Sequence, residues 1–379
     1  MKSSIPLILI LFTIISCKQY KNEIHFQNEN YLKCTDSISI TLDSITYPYS
    51  TNIYYNDSIL FIQNEGLNSI SLYNLRGEKI DEYNFKIIKQ KIKGFSVTSS
   101  WIKSFDSIFV YSKPNTKVYL FNHDLKLKDS FQMPLDKDYV LNKQYPAPNI
   151  TSIQQAAYFN KSLFVTGYTV GENLSRNDSN KFVVCETNKI GRSFYVNYPK
   201  EYHKLDWGGV YFRMVYNCVV NDSIFCISFP ACSTIGLFNL KTKRINYQYM
   251  FPNLREFVKP YSEKKIKLRD KFKIAEHFYG QYSFKGIIYD KYRKIYYRFL
   301  LIPTSHEFLN KFHLGPQEQL LLIYDNNFNY LGFNKLNLTY SQNTFFVTEK
   351  GLFIQKIKNV KDEDHIFFDV FSFNVNKHL

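Results

Sequence analysis

A short antiparallel meander, repeated along the chain, limits what this sequence can fold into. Its clearest copy opens with the polar turn Asn221-Asp222-Ser223, runs into the apolar strand Ile224 to Phe229 and breaks at Pro230. A second strand, Thr234 to Leu240, ends in an aromatic-Asn turn, and a third runs from Arg244 to Tyr249. The same order recurs from Asn56, Phe105 and Asn160, and more loosely from Lys294 and Gly351, which makes six copies.

One more strand-like stretch precedes each copy: Asn52 to Tyr55, Gly94 to Trp101, Ser152 to Tyr158, Val210 to Val220, Tyr282 to Tyr289 and Thr344 to Val347. Runs of Tyr, Phe, Ile and Val punctuated by Asn, Asp, Gly and Pro read as strands. Four short strands per unit predict an all-β chain, a six-bladed β-propeller of four-stranded antiparallel blades. The last copy lacks a fourth strand, while Ser37 to Leu42 alternates Ser-Ile-Ser-Ile-Thr-Leu without a copy of its own. This segment is expected to form the outer strand of the sixth blade, so that the chain ends lock one ring. Residues 35–379 are then a single domain.

Residues 1–16 read as a signal peptide. Lys2 precedes a mainly apolar run of eleven residues, Ile5 to Ile15, too short for a hydrocarbon core that takes about 20. The ending Ile14-Ile15-Ser16-Cys17 resembles the lipobox of bacterial lipoproteins, which implies lipid on Cys17 as the first mature residue. An ordinary signal peptide with an incidental cysteine is the alternative. Lys18, where an aspartate would favour retention at the inner membrane, points to an outer-membrane lipoprotein of the cell envelope, periplasmic or surface-facing. Residues 17–34 are polar, lack periodicity and read as a lipidated tether.

The formal net charge is +15. Part of it lies in the cluster Lys259, Lys264, Lys265, Lys267, Arg269, Lys271 and Lys273, opposed locally by Glu263 and Asp270. Either an anionic partner meets this cluster or it is a solvated insertion between blades four and five. An exported chain is not expected to bind nucleic acid. Cys34, Cys185, Cys218, Cys226 and Cys232 are odd in number and irregularly spaced, which is no disulfide framework. A single bridge from Cys218 or Cys226 to Cys232 stays open. Without a Cys-x-x-Cys pair or a His-x-x-x-His pair, no metal is expected, and no cofactor either.

Asp-Ser-Ile occurs at Ser37, Ser44, Ser58, Ser107 and Ser223. It resembles the acceptor motif for general O-glycosylation of exported proteins in Bacteroidota; Asp-Ser is equally good turn chemistry before a strand. Asp325-Asn326-Asn327-Phe328-Asn329 begins like a calcium loop but has Tyr330 where that loop needs Gly and Leu336 where it needs Glu, so it reads as a turn. The run Asp362 to His365 reads as a solvated loop.

No Gly-x-Ser-x-Gly elbow, phosphate loop or dinucleotide fingerprint is present. Site candidates come from geometry instead. Loops joining second to third strands, and links between blades, are expected to surround one mouth of the channel; they include Tyr145-Pro146-Ala147-Pro148, His203 to Gly209, Pro230 to Ser233 and Pro303 to His306. Trp207 before Gly208-Gly209 reads as a platform for a sugar or aromatic ligand, or as a ring buried under its own loop, with His203 and Asp206 beside it. Arg213 and Arg298 interrupt apolar strands and should face the channel or be paired; an Arg stacked on Tyr between blades is the alternative.

The lipobox, the meanders, Trp207-Gly208-Gly209-Val210-Tyr211-Phe212-Arg213 and Tyr289-Asp290-Lys291-Tyr292-Arg293-Lys294-Ile295-Tyr296-Tyr297-Arg298 together resemble the DUF4221 family of Bacteroidota lipoproteins. The resemblance implies a six-bladed propeller in the envelope and supplies no catalytic residues. Two function classes remain. One is a non-catalytic binding or scaffold module for a glycan, peptide or protein, with Trp207, Arg213, Arg298, His203 and Asp206 as ligand contacts. The other is a propeller enzyme, a glycan lyase, hydrolase or lactonase. They part at the channel wall, where three or more convergent His, Asp or Glu would favour the enzyme and an aromatic or basic rim would favour binding.

Overall fold

The computed structural model describes residues 24–373 except 45, 47–51, 57, 65, 134–149, 169–180, 204, 209, 262–270, 305–316, 358–361 and 363. Its first strand, β1 (Leu32–Thr41), stands apart from the others in sequence. Blade 1 then holds β2 (Ile53–Asn56), β3 (Ile59–Asn64), β4 (Ser69–Asn74) and β5 (Lys79–Asn84). Blade 2 holds β6 (Ser99–Ser104), β7 (Ser107–Ser112), β8 (Lys117–Phe121) and β9 (Leu127–Gln132). Blade 3 is β10 (Ala157–Phe159), β11 (Ser162–Tyr168), β12 (Lys181–Thr187) and β13 (Arg192–Asn197). Blade 4 is β14 (Tyr216–Asn221), β15 (Ile224–Ser228), β16 (Thr234–Asn239) and β17 (Arg244–Tyr249). Blade 5 is β18 (Ser283–Asp290), β19 (Ile295–Leu301), β20 (Gln319–Asp325) and β21 (Tyr330–Leu336), and blade 6 has β22 (Tyr340–Thr348), β23 (Gly351–Lys356) and β24 (His365–Phe373). The six sheets are each four-stranded and antiparallel, and β1 completes the sixth.

First strands of neighbouring blades touch, β14 with β18, β18 with β22 and β22 with β2, so they line the centre of the ring. Sequence follows position. Strand β19, Ile-Tyr-Tyr-Arg-Phe-Leu-Leu, is buried throughout because neighbouring blades cover both its faces. Its Tyr296 and Leu300 join the core toward blade 4, while Tyr297 and Phe299 join the core toward blade 6. Each such side chain contributes about 1.5–3 kcal/mol of transfer free energy. The outer strand β17, Arg-Ile-Asn-Tyr-Gln-Tyr, is wet on one face and alternates accordingly.

Ring closure matches the expectation from the alternating N-terminal segment. Strand β1 pairs with β24 from Leu32 opposite Phe373 to Thr41 opposite His365, with a register shift between Cys34 and Asp36. The buried Asp369 carboxylate accepts the Ser37 hydroxyl, the Tyr340 hydroxyl at 2.6 Å and the Lys356 ammonium at 2.7 Å. Burial by itself would raise its pKa; the bonds from Lys356, Ser37 and Tyr340 outweigh that and hold it below the usual carboxylate value. The strand begins inside the stretch assigned to the tether: Leu32 to Cys34 pair with β24, Glu29 bridges Phe333, and Ile24 and Phe26 pack on the core. Apolar Ile24, Phe26, Tyr31 and Leu32 carry that docking, a pattern too sparse to read as a strand.

The turn after β18 fastens blade 5 to blade 6. Asp290, wholly buried, accepts the backbone N–H of Tyr292 and Arg293 at 3.0 Å and the Arg293 guanidinium at 2.9 Å. Arg293 also donates to the carbonyls of Thr348 and Glu349 in blade 6.

Candidate functional site

The centre of the ring is closed by chain. Ser152 to Tyr158 was expected to be an inner strand, yet β10 is confined to Ala157–Phe159 and residues 150–156 cross the channel instead. Thr151 and Gln154 exchange backbone hydrogen bonds in a tight turn. Asn217 of β14 then binds this segment three times: its N–H donates to the Ile153 carbonyl at 3.0 Å, its carbonyl accepts the Gln155 N–H at 3.3 Å, and its side chain donates to the Gln155 carbonyl at 2.7 Å. The Gln154 amide donates to the Val215 carbonyl at 2.8 Å, and the Ser152 hydroxyl to the Asn343 carbonyl of blade 6. Ile153 enters the space left by Gly286 on β18, where an added Cβ would stand 2.6 Å from it and 2.5 Å from Phe345.

This crossing is the floor of a funnel of about 580 Å³. All six inner strands supply its wall, near the ends where they turn into the second strands. Aromatic rings dominate: Tyr54 and Tyr55 from blade 1, Trp101 from blade 2, Tyr158 from blade 3, and Tyr289 and Tyr292 from blade 5. Most are braced from behind. Tyr54 stacks on Phe61 and Tyr55 on Phe346, each at 5.0 Å, and Trp101 leans on Phe109 at 5.6 Å. Such fixed rings present flat apolar faces at little entropic cost. Polar groups come from Asn56, Gln155 and Asn221, and charges from Lys103, Lys291 and Asp222. Lys103 lies over the Tyr158 ring at 4.2 Å and Lys291 near Tyr292 at 5.2 Å. Blades 2 and 5 stand opposite in a ring of six, so the two lysines lie on opposite sides of the mouth.

The funnel opens on the face opposite to the one expected from the sequence. Turns from first to second strands surround it, whereas the predicted residues lie on interblade links and second-to-third-strand loops. Of those expected loops, residues 145–148 and 305–306 lie outside the described residues.

Trp207 is not an exposed platform. It is 7% exposed and packs between Tyr202 at 5.3 Å and Phe212 at 5.6 Å. The cause is local: Gly208 takes φ +72° and Asp206 Oδ1 accepts its N–H at 2.9 Å, a turn that folds the indole inward. Its edge borders a groove of about 680 Å³ shared with Leu205, Tyr249 and Arg255. Asp206 and His203 are exposed nearby, and the His203 ring meets the Tyr198 carbonyl at 3.0 Å. Arg213 is buried in a short 3-10 turn, Tyr211–Arg213, whose carbonyls accept the hydroxyls of Tyr198 and Tyr202.

Arg298 is wholly buried and faces blade 4 rather than the channel. Its Nε donates to Ser228 Oγ at 2.9 Å, Nη1 to the Ser233 carbonyl at 2.9 Å, and Nη2 to the carbonyls of Phe229 and Cys232 at 3.2 and 3.1 Å. The Phe284 ring lies 3.5 Å from the guanidinium carbon. The Pro230 loop turns its carbonyls inward, and one guanidinium fork satisfies three of them. The alternative of stacking between blades therefore holds, with Phe284 in place of a tyrosine.

Among the Asp-Ser-Ile serines, Ser37, Ser44 and Ser58 are exposed and Ser107 and Ser223 half-buried. The Ser37 hydroxyl is engaged by Asp369, and Ser58 sits in its turn at φ +72°. Asp325 caps its turn as expected, accepting the N–H groups of Asn327 and Asn329 at 2.8 Å. All five described cysteines are free thiols. Cys17 lies outside the described residues, as do Lys264, Lys265, Lys267 and Arg269 of the basic cluster.

Fold and channel together define a six-bladed β-propeller with a blind, aromatic-walled mouth. Residues 93–335, blades 2 to 5, match DUF4221, a domain of unknown function, and the chain belongs to that family. A solved DUF4221 member from Bacteroides vulgatus ATCC 8482 superposes with a TM-score of 0.68 at 13% identity, covering 90% of this chain and 97% of that one. A candidate exported protein from Bacteroides fragilis NCTC 9343 does so at 0.52 and 9% identity, covering 92% and 97%. No curated protein matches the chain.

Proposed function

We propose that this protein is a non-catalytic binding module of the cell envelope that takes a glycan in the aromatic funnel. One observation carries the reading: all six blades converge on a single blind cavity with a wall of braced rings, interspersed with amides and two opposed lysines. Flat rings stack on the apolar faces of sugars, while side-chain amides and ammonium groups bond the hydroxyls at their edges. Hydrolysis by paired carboxylates needs two such groups flanking one bond; the described wall carries Asp222 alone.

Location rests on the leader. The apolar run before Cys17 and the lipobox-like ending support a lipid anchor in the outer membrane, and no helix among the described residues is long and apolar enough to cross a membrane. The candidate exported protein from Bacteroides fragilis points the same way. Cys17→Ser should shift the protein from the membrane to the soluble envelope fraction.

Trp101→Ala combined with Tyr158→Ala should cut retention of a bound oligosaccharide at least tenfold on an array of cell-wall and host glycans, read at a temperature where circular dichroism shows the variant folded. Full retention by the folded double variant would remove the funnel from the reading.

A further inference from the structure

Lys285 is a cation at the centre of the ring with little to hold it there. It lies on β18 next to Gly286, which packs against Ile153 of the channel floor. Ile288 and Tyr289, further along the same strand, line the funnel. Lys285 precedes the floor contact and so lies on the other side, in the far half of the channel. Across from it on β22, Asn343 accepts the floor's Ser152 hydroxyl, and the neighbouring Gln342 accepts the Lys285 ammonium at 3.1 Å.

Among the described residues that amide oxygen is the ammonium's one hydrogen-bond partner, and no carboxylate reaches it. An ammonium has three donors, so two remain unused. The Gln342 amide nitrogen is spent on the Gln317 carbonyl at 3.2 Å. Protein encloses the ammonium, and burial pulls its pKa down to about 8; the side chain nonetheless keeps part of its surface reachable by water. It therefore borders water-accessible space and is not sealed in a dry core. A charge so poorly hydrated, with no counter-charge among the described residues, is a costly arrangement.

We propose that the far half of the channel is a site for a small monocarboxylate, with Lys285 as its counter-charge. One negative charge matches one ammonium. A phosphate dianion would leave an unpaired negative charge in the same low-dielectric space. This site is separate from the funnel and does not depend on how the funnel is read.

Isothermal titration of the mature chain with acetate, benzoate and inorganic phosphate, at fixed ionic strength in chloride, tests it. At pH 7 acetate or benzoate should bind the wild type, and Lys285→Gln should weaken that binding at least tenfold. Raising the pH to 9.5 should weaken wild-type binding similarly, because the ammonium then loses its proton. The other titratable side chains on strands against β18 are Tyr216 and Cys218 on β14, Cys226 on β15, Tyr296, Tyr297 and Arg298 on β19, and Tyr340 on β22. Burial pushes Tyr216, Cys218, Tyr296, Tyr297 and Tyr340 upward, out of this window. The pH arm uses the wild type and so stands even if the variant does not fold. Trp101→Ala should leave carboxylate binding unchanged, which separates this site from the funnel. No carboxylate binding at pH 7, equal binding by folded Lys285→Gln, or tighter binding of phosphate would each overturn the proposal.

Discussion

The two tryptophans of this chain mark two regions that use similar residues in opposite ways. Trp207, with Arg213 and Arg298, belongs to packing between blades 3, 4 and 5, where rings touch rings and guanidinium donors meet loop carbonyls. Trp101 sits in the funnel wall, half-buried, with one face braced by Phe109 and the other side toward the cavity. A conspicuous side chain is therefore a poor guide to a binding surface unless its partners are counted. An arginine in an apolar strand signals that something must satisfy five donors, and here three loop carbonyls and the Ser228 hydroxyl take four of them.

The largest effect should come from removing that guanidinium. Arg298→Ala strands the carbonyls of Phe229, Cys232 and Ser233 and opens a cavity beside Phe284. The expected loss is about 3–5 kcal/mol, read by urea unfolding. Glycan retention by the fraction that remains folded should be unchanged. A loss under about 0.5 kcal/mol, the range of ordinary surface substitutions, would break the contrast between the two regions.

Most of the ring was legible in the sequence because strand alternation and turn residues are local signals. Ser37 to Leu42 alternates every second residue and has no hairpin partner nearby, so its place at the edge of blade 6 followed. The floor was not legible. The segment from Ile150 to Ala157 passes for a strand only by its place ahead of the third copy, since its apolar residues do not alternate, and its bonds to Asn217 and Asn343 divert it across the channel. The face carrying the site was misread for a related reason: the sequence draws attention to the longer connections, while the cavity lies under the short turns from first to second strands. Lys285, a charge between Phe284 and Gly286 on an inner strand, carried the same signal as Arg213 and Arg298 and went unread.

A middle-sized effect of the opposite sign should follow at Lys285. Because burial depresses its pKa from 10.5 to about 8, the folded protein bears a penalty for the charged form. The penalty is full below pH 8, shrinks as the pH rises toward 10.5 and vanishes above it, where both folded and unfolded chains are neutral. Lys285→Met should therefore stabilise the protein at pH 7 by about 1–3 kcal/mol, the upper figure following from 1.36 kcal/mol per pKa unit and the lower allowing for partial exposure. Melting curves of the two proteins should converge between pH 8 and 10. A variant less stable than wild type at pH 7 would mean that the lysine is paired.

Closure of the ring should respond more weakly, and to acid. Asp369 has its pKa held down by Lys356, Ser37 and Tyr340 against the effect of burial. Its contribution is present above the unfolded value of about 3.9 and is lost as the pH falls through that value toward the folded one. Asp369→Asn should cost about 1–2 kcal/mol at pH 7 and nothing further in acid. Equal acid sensitivity of variant and wild type would place the acid-labile group elsewhere.

The smallest effect is the sharpest test of the contrast between the tryptophans. Among the described residues the buried Trp207 indole N–H has no hydrogen-bond partner, and an orphaned donor costs about 1–3 kcal/mol. Trp207→Phe removes that cost while losing part of the ring's packing, so the two terms should nearly cancel, to within about 1 kcal/mol. The variant also leaves Trp101 as the sole indole. Its emission should be quenched by acrylamide and should respond to an oligosaccharide in the funnel. In Trp101→Phe the remaining emission should lie at shorter wavelength and ignore both. A ligand response that follows Trp207 would move the binding surface back to the interblade groove and reverse the assignment of the two regions.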